Sequence, residues 1–254
     1  MLVEVRPAGA LTGFGRYCGF SESAPTSVRR REGPGVHIVL LVSFGNEWSI
    51  DGERVTSFAA GLYDRQVTTQ HDGWSFGMQI DLAPPVAHAV LGIPLHTLAQ
   101  SVVSLEDVLG EPTLPELLHD AGTWPERFRL VDRLLHRRLG AGRGASPEVF
   151  WAWRQLAATH GRVPIGRLSA ELGWSRKRIA ARFREQIGTT PKAFARLVRF
   201  EHARRLATEA QEPEWGRIAL ECGYYDQSHL INDFRAVTGR TPETFFQDTV
   251  GAAA

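Results

Sequence analysis

The sequence repeats part of itself. Phe183/Phe234, Arg184/Arg235, Gly188/Gly239, Thr190/Thr241, Pro191/Pro242 and Phe194/Phe245 recur at a constant offset of 51. Ile179 and Leu230 keep that offset, but Gly173 and Gly223 stand 50 apart, so the second copy carries one extra residue in its turn. Self-similarity of this kind marks a duplicated supersecondary unit. In the first copy Ile165, Leu168 and Leu172 make an apolar stripe with the small Ser169 beside it; Ile218 and Ala219 stand in the second. A glycine that tolerates left-handed backbone follows each stripe. Next comes a capping residue, Ser175 or Asp226, and then an apolar pair four apart, Ile179/Phe183 or Leu230/Phe234. Each copy therefore predicts two short helices joined by a tight turn.

Charge separates the copies. The chain of 254 residues has a net charge of only +1, yet residues 162–208 hold 12 basic groups against 3 acidic, and residues 209–254 hold 3 against 8. A basic block on a helical unit points to a polyanion. Arg176, Lys177 and Arg178 open the second helix of the first copy, with Arg182 and Arg184 further along; Gln227, Ser228, His229 and Asn232 hold the matching region of the second. The first residues of such a helix are those that reach base edges in a major groove, where Arg and Lys donate to guanine or phosphate. The segment from Pro191 to about Ala210 predicts a connecting helix of roughly 30 Å, at about 1.5 Å per residue. One DNA turn is about 34 Å, so two readers would meet successive grooves. Thr190-Pro191 and Thr241-Pro242 open the following helices, and Thr190 and Lys192 are expected at phosphates.

The N-terminal part reads as strands followed by helices. Val36–Val42 is a buried-strand run, Asp51-Gly52 is a two-residue hairpin turn, and strand-like segments follow at Gln66–Thr69 and Trp74–Ile80. Pro84-Pro85 ends the β region, after which helices are expected over 87–104, 114–121 and 124–140. The run Gly140-Ala141-Gly142-Arg143-Gly144-Ala145-Ser146-Pro147 reads as a linker. It divides an expected domain at 1–145 from one at 146–254.

Residues 146–246 resemble the DNA-binding domain of AraC/XylS-type bacterial transcription regulators. Gly223-Tyr224-Tyr225-Asp226-Gln227-Ser228-His229-Leu230-Ile231-Asn232-Asp233-Phe234-Arg235, followed by Gly239, Thr241, Pro242 and Phe245, carries the resemblance. Leu230 stands where the family usually has Phe, and Asn232 where many members have Arg. The resemblance implies seven helices with two helix–turn–helix units, binding double-stranded promoter DNA. The N-terminal part looks like the sensor half of such regulators. The expected fold class is thus α+β with two domains: an N-terminal cupin-like β-barrel with flanking helices, and a C-terminal all-α double helix–turn–helix domain. A small-molecule effector, RNA polymerase for an activator, and a homodimer formed through 124–140 are the further partners expected. Trp48, Tyr63, Trp74, Phe76 and Met78 are the candidate pocket residues, with simple core packing as their alternative role.

Catalysis is not expected. The nine histidines are scattered, with no His-x-His pair, and His37 and His71-Asp72 would meet as ligands only through tertiary placement. No metal or cofactor is predicted. Cys18 and Cys222 offer neither a disulfide framework nor a four-thiolate zinc site, and no nucleophile elbow or Walker loop is present. No apolar run is long enough for a membrane helix, and Met1-Leu2-Val3-Glu4-Val5-Arg6 does not read as a secretory signal, so a cytoplasmic protein is expected. A competing reading, a small-molecule-binding protein whose helical half mediates protein association, predicts no salt-dependent DNA binding.

Overall fold

The computed structural model describes residues 2–5, 15–210 and 212–251; Met1 and Arg6 of the opening segment lie outside them. The strands are β1 (Leu2–Val5), β2 (Gly15–Ser23), β3 (Val28–Glu32), β4 (Ile38–Ser43), β5 (Trp48–Ile50), β6 (Glu53–Val55), β7 (Phe58–Ala60), β8 (Val67–His71), β9 (Trp74–Leu82) and β10 (Val102–Ser104). They form two antiparallel sheets, ordered β1-β2-β9-β4-β7-β10 and β3-β8-β5-β6. No pairing joins the two into a closed ring among the described residues. The predicted hairpin turn is there: Asp51 and Gly52 both have positive φ between β5 and β6.

Alternation along the strands decides what each side chain meets. On β2, Phe20 and Glu22 face the second sheet. Phe20 lies edge-on to Trp48 at 6.1 Å, and Glu22 accepts from Arg30 at 2.8 Å and contacts the His71 Nε2 at 2.9 Å. The Arg30 bond holds the buried Glu22 carboxyl below its ordinary range. Tyr17 and Gly19 face the other way. There the Trp124 ring stands so close over Gly19 that a Cβ would meet it at 1.9 Å, and the Tyr17 hydroxyl donates to Asp132.

The helices of the first part are α1 (Pro84–Leu91), α2 (Leu105–Leu109), α3 (Leu114–Asp120) and α4 (Trp124–Ala141), with a 3₁₀ turn at Leu95–Leu98. The expected helix over 87–104 is corrected. Pro84 and Pro85 start α1 rather than merely ending the strands, because the first helical positions lose no intrahelical bond to proline. Gly92, at φ +69°, stops it, and residues 102–104 pair with β7 as an edge strand. The second part holds seven helices among the described residues: α5 (Pro147–Ala158), α6 (Ile165–Leu172), α7 (Arg176–Ile187), α8 (Pro191–Glu209), α9 (Trp215–Glu221), α10 (Gln227–Thr238) and α11 (Pro242–Gly251).

The apolar interior does not divide at the glycine-rich linker. One core runs from the larger sheet through α1, α4 and α5 to α7 and the first turns of α8, ending at Val198. A smaller core gathers Phe200, Ala203 and Ala207 of α8 with Ile218, Tyr224, Leu230 and Phe234. The two cores thus share α8.

On that helix His202 stacks on His160 at 3.9 Å and its Nδ1 faces the Arg205 guanidinium at 3.2 Å. Burial first, then the neighbouring His160, Arg205 and Arg162, hold the His202 imidazole below its ordinary range, against an opposing pull from Glu221. In the unfolded chain the ring takes up its proton near pH 6.5. The folded state resists that proton, so stability falls as pH drops through this value. Melting temperature is expected to fall more steeply from about pH 7.5 to about 5.5 in the native protein than in His202→Gln. Parallel curves would contradict a neutral, buried ring.

Candidate nucleic-acid interface

The two helix pairs α6–α7 and α9–α10 superimpose in their local chemistry. Trp174 N–H donates to Ser169 O at 3.0 Å, and Tyr224 N–H to Ala219 O at 2.9 Å, closing the two turns. Gly173 and Gly223 both take left-handed backbone, at φ +63° and +76°. Ser175 Oγ accepts from Arg178 N–H at 3.2 Å, and Asp226 Oδ1 from His229 N–H at 2.8 Å. Ile179, Phe183, Leu230 and Phe234 are buried beneath, fixing each second helix by the face the sequence predicts. Thr190 and Thr241 cap α8 and α11 in the same way, accepting from Ala193 and Thr244.

The opposite faces are open. Ser175, Arg176, Lys177, Arg178 and Arg182 of the first unit are exposed, as are Gln227, Ser228, His229 and Asn232 of the second. Lys192 is exposed beside the half-buried Thr190. Arg176 and Lys177 have no ion-pair partner among the described residues, leaving both charges to an outside anion. Arg182 is engaged with Glu185 at 2.7 Å. Arg178 lies over the Trp174 ring at 4.5 Å, a stack that restricts its guanidinium. In the second unit His229 stands edge-on to Tyr224 at 5.2 Å in the corresponding place. Trp174 lies outside the expected contact set, and its position directly before the cap is the one signal of it in the sequence.

A junction ties the two units together. Arg199 on α8 donates to Gly161 O at 3.0 Å in the turn after α5, faces Asp233 at 4.0 Å, and lies over the Tyr224 ring at 5.5 Å. The Arg162 stem crosses Gly223 so closely that a Cβ there would meet its Cγ at 2.7 Å. Gly223 is thus needed twice, for its backbone and for the space above it. The N-terminal part also reaches both units. Leu95 O stands 3.3 Å from where a Gly188 Cβ would be, at the end of α7. Gln66 N–H donates to Val237 O at 2.9 Å at the end of α10, and Asp64 pairs with Arg196 at 3.3 Å.

The five aromatic and Met residues proposed as a pocket do not line one cavity. Trp48 lies between the sheets, Phe76 and Met78 project to the helix side of β9, Trp74 is exposed and Tyr63 is half-buried. Strand alternation puts Phe76 and Met78, which share the parity of Ile80, on the face away from Trp48; Trp74 has the same parity but stands exposed at the start of β9. Among the described residues no group of three or more His, Cys, Asp or Glu is placed to hold a metal ion. No helix among them is long and apolar enough to cross a membrane.

Residues 168–248 match the family model described as a helix-turn-helix domain. No curated protein matches the chain. Among solved structures, an apo variant of ToxT from Vibrio cholerae has a TM-score of 0.47 at 9% identity, covering 88% of this chain and 98% of its own. Unsaturated fatty acid bound wild-type ToxT from the same organism gives 0.45 at 9% identity, covering 88% and 96%. The xylose-binding transcription activator xylR gives 0.34 at 19% identity, covering 48% of this chain and 38% of its own.

Proposed function

We propose that residues 168–248, which match a helix-turn-helix domain, are a reading domain of the AraC type and that the protein is a sequence-specific transcription regulator acting on double-stranded promoter DNA. The observation that carries this reading is the pair of congruent capped units, each presenting an exposed, hydrogen-bonding first turn on a rigidly seated second helix. Arg176, Lys177 and Arg178 supply most of the affinity in the first unit, with Arg182, Thr190 and Lys192 as further contacts and Ser175 as the cap. Gln227, Ser228, His229 and Asn232 tune sequence choice in the second. In this reading residues 1–145 form the sensor and dimerisation part and residues 146–254 the reading part. The cytoplasm is its place, a small molecule its signal, and RNA polymerase its partner at activated promoters.

The test is selection of bound fragments from sheared source-genome DNA by the full chain. At about 150 mM salt, where nonspecific binding is weakened, recovered fragments are expected to share two short elements about ten base pairs apart, one helical turn. No retention of any fragment would sink the proposal.

A further inference from the structure

The extra residue of the second unit can be identified. The bonds Trp174 N–H to Ser169 O and Tyr224 N–H to Ala219 O run at an offset of 50, whereas the caps Ser175 and Asp226 stand 51 apart. Tyr225 is therefore the inserted residue, with no counterpart in the first unit. It is 89 % exposed, the most exposed large hydrophobic side chain among the described residues, while its neighbour Tyr224 is only 3 % exposed. Its backbone N–H is directed to His229 Nδ1 at 3.4 Å, which ties the inserted residue to the first turn of α10.

We propose that Tyr225 is a direct nucleic-acid contact of the second unit, its ring laid against a deoxyribose and its hydroxyl donating to the adjacent phosphate. The inference rests on the DNA-reading function proposed above. Three features support it. The residue sits immediately before the cap of α10, at the rim where a groove-entering helix passes the sugar–phosphate strand. The first turn of α10 has no arginine or lysine, unlike that of α7, so a phosphate contact there has to come from a neutral donor. The insertion also leaves the fold untouched, since the side chain packs against no other ring among the described residues and the capping bond of Asp226 is intact. An exposed phenol beside a phosphate gains a charge-assisted hydrogen bond, and its ring excludes water from the sugar.

The experiment compares the native full chain with Tyr225→Ala and Tyr225→Phe on a fragment recovered by the native protein. Binding and hydroxyl-radical protection of the deoxyriboses are measured together with thermal unfolding. Tyr225→Ala is expected to weaken binding roughly tenfold and Tyr225→Phe about threefold, the difference being the hydroxyl's charge-assisted bond. Melting temperatures should stay unchanged, and protection should be lost at one sugar in the second element only. Binding by Tyr225→Ala within about twofold of native, with an unaltered footprint, overturns the assignment while leaving the regulator intact. Failure of the native protein to bind any DNA removes both.

Discussion

Replacing Arg176 and Lys177 together by alanine is expected to weaken binding to a recovered fragment by about 2–6 kcal/mol, one to three for each contact. Both side chains are exposed and without ion-pair partners among the described residues, so their loss takes nothing from the fold. Melting temperature should therefore stay where it is, which separates a reading defect from a folding defect. The form of the loss identifies the contact. A drop confined to one position of the site means a base edge is read; a uniform drop with a shallower salt dependence means phosphate neutralisation. Arg178 should behave differently from its neighbours, because Trp174 already orients it and no such ordering remains to be done on binding. Unchanged affinity in the double variant would remove the first unit from the interface.

The second large effect concerns packing. Phe183 and Phe234 are equivalent by the repeat and both are completely buried, yet they sit in different cores. Phe→Ala at either site should cost about 3–5 kcal/mol, the transfer loss plus the cavity left behind. Phe183→Ala opens its cavity in the core that continues through α5 and α1 to the larger sheet, so the main unfolding transition should move down as a whole. Phe234 packs with Phe200, Trp215 and the α11 rings Phe245 and Phe246 in the smaller core. Its replacement should melt the second unit first. Calorimetry should then show a separate early transition, and a footprint below the main transition should retain the first element and lose the second. A single transition lowered equally by both substitutions would show that the two cores unfold as one.

What could be read from the sequence was mostly local. The repeat, the caps Ser175 and Asp226, the helix starts at Thr190-Pro191 and Thr241-Pro242, and the Asp51-Gly52 turn all depend on residues within a few positions of one another, and the structure has each of them. The helix expected over 87–104 failed because Pro84-Pro85 is compatible both with a strand end and with a helix start, and because pairing of residues 102–104 with β7 is a long-range event. The candidate pocket residues share a chemistry, but residue type carries no register. Once Gly19↔Met78 and Ser21↔Phe76 set the register, Met78 and Phe76 lie on the helix side of the sheet, away from Trp48. The exposed position of Tyr225 was partly legible, since the change of offset from 51 to 50 marked an extra residue without saying which. Arg199 gives no such sign: its bond to Gly161 and its place over Tyr224 join residues far apart in the chain.

The contact between the 3₁₀ turn at Leu95 and the end of α7 bears on how the molecule can be cut apart. From the sequence, the glycine-rich stretch before Ser146 is the obvious place to sever the reading half. A fragment made there would keep all seven helices, but it would lose the α1 and 3₁₀ residues packed against α7, with Leu95 at Gly188 among them. It would also lose the partners of Val237 and Arg196. The freshly bared apolar strip, next to a strongly basic surface, would favour self-association and adventitious binding. The handling of the severed half, rather than its helix content, is what such a cut puts at risk.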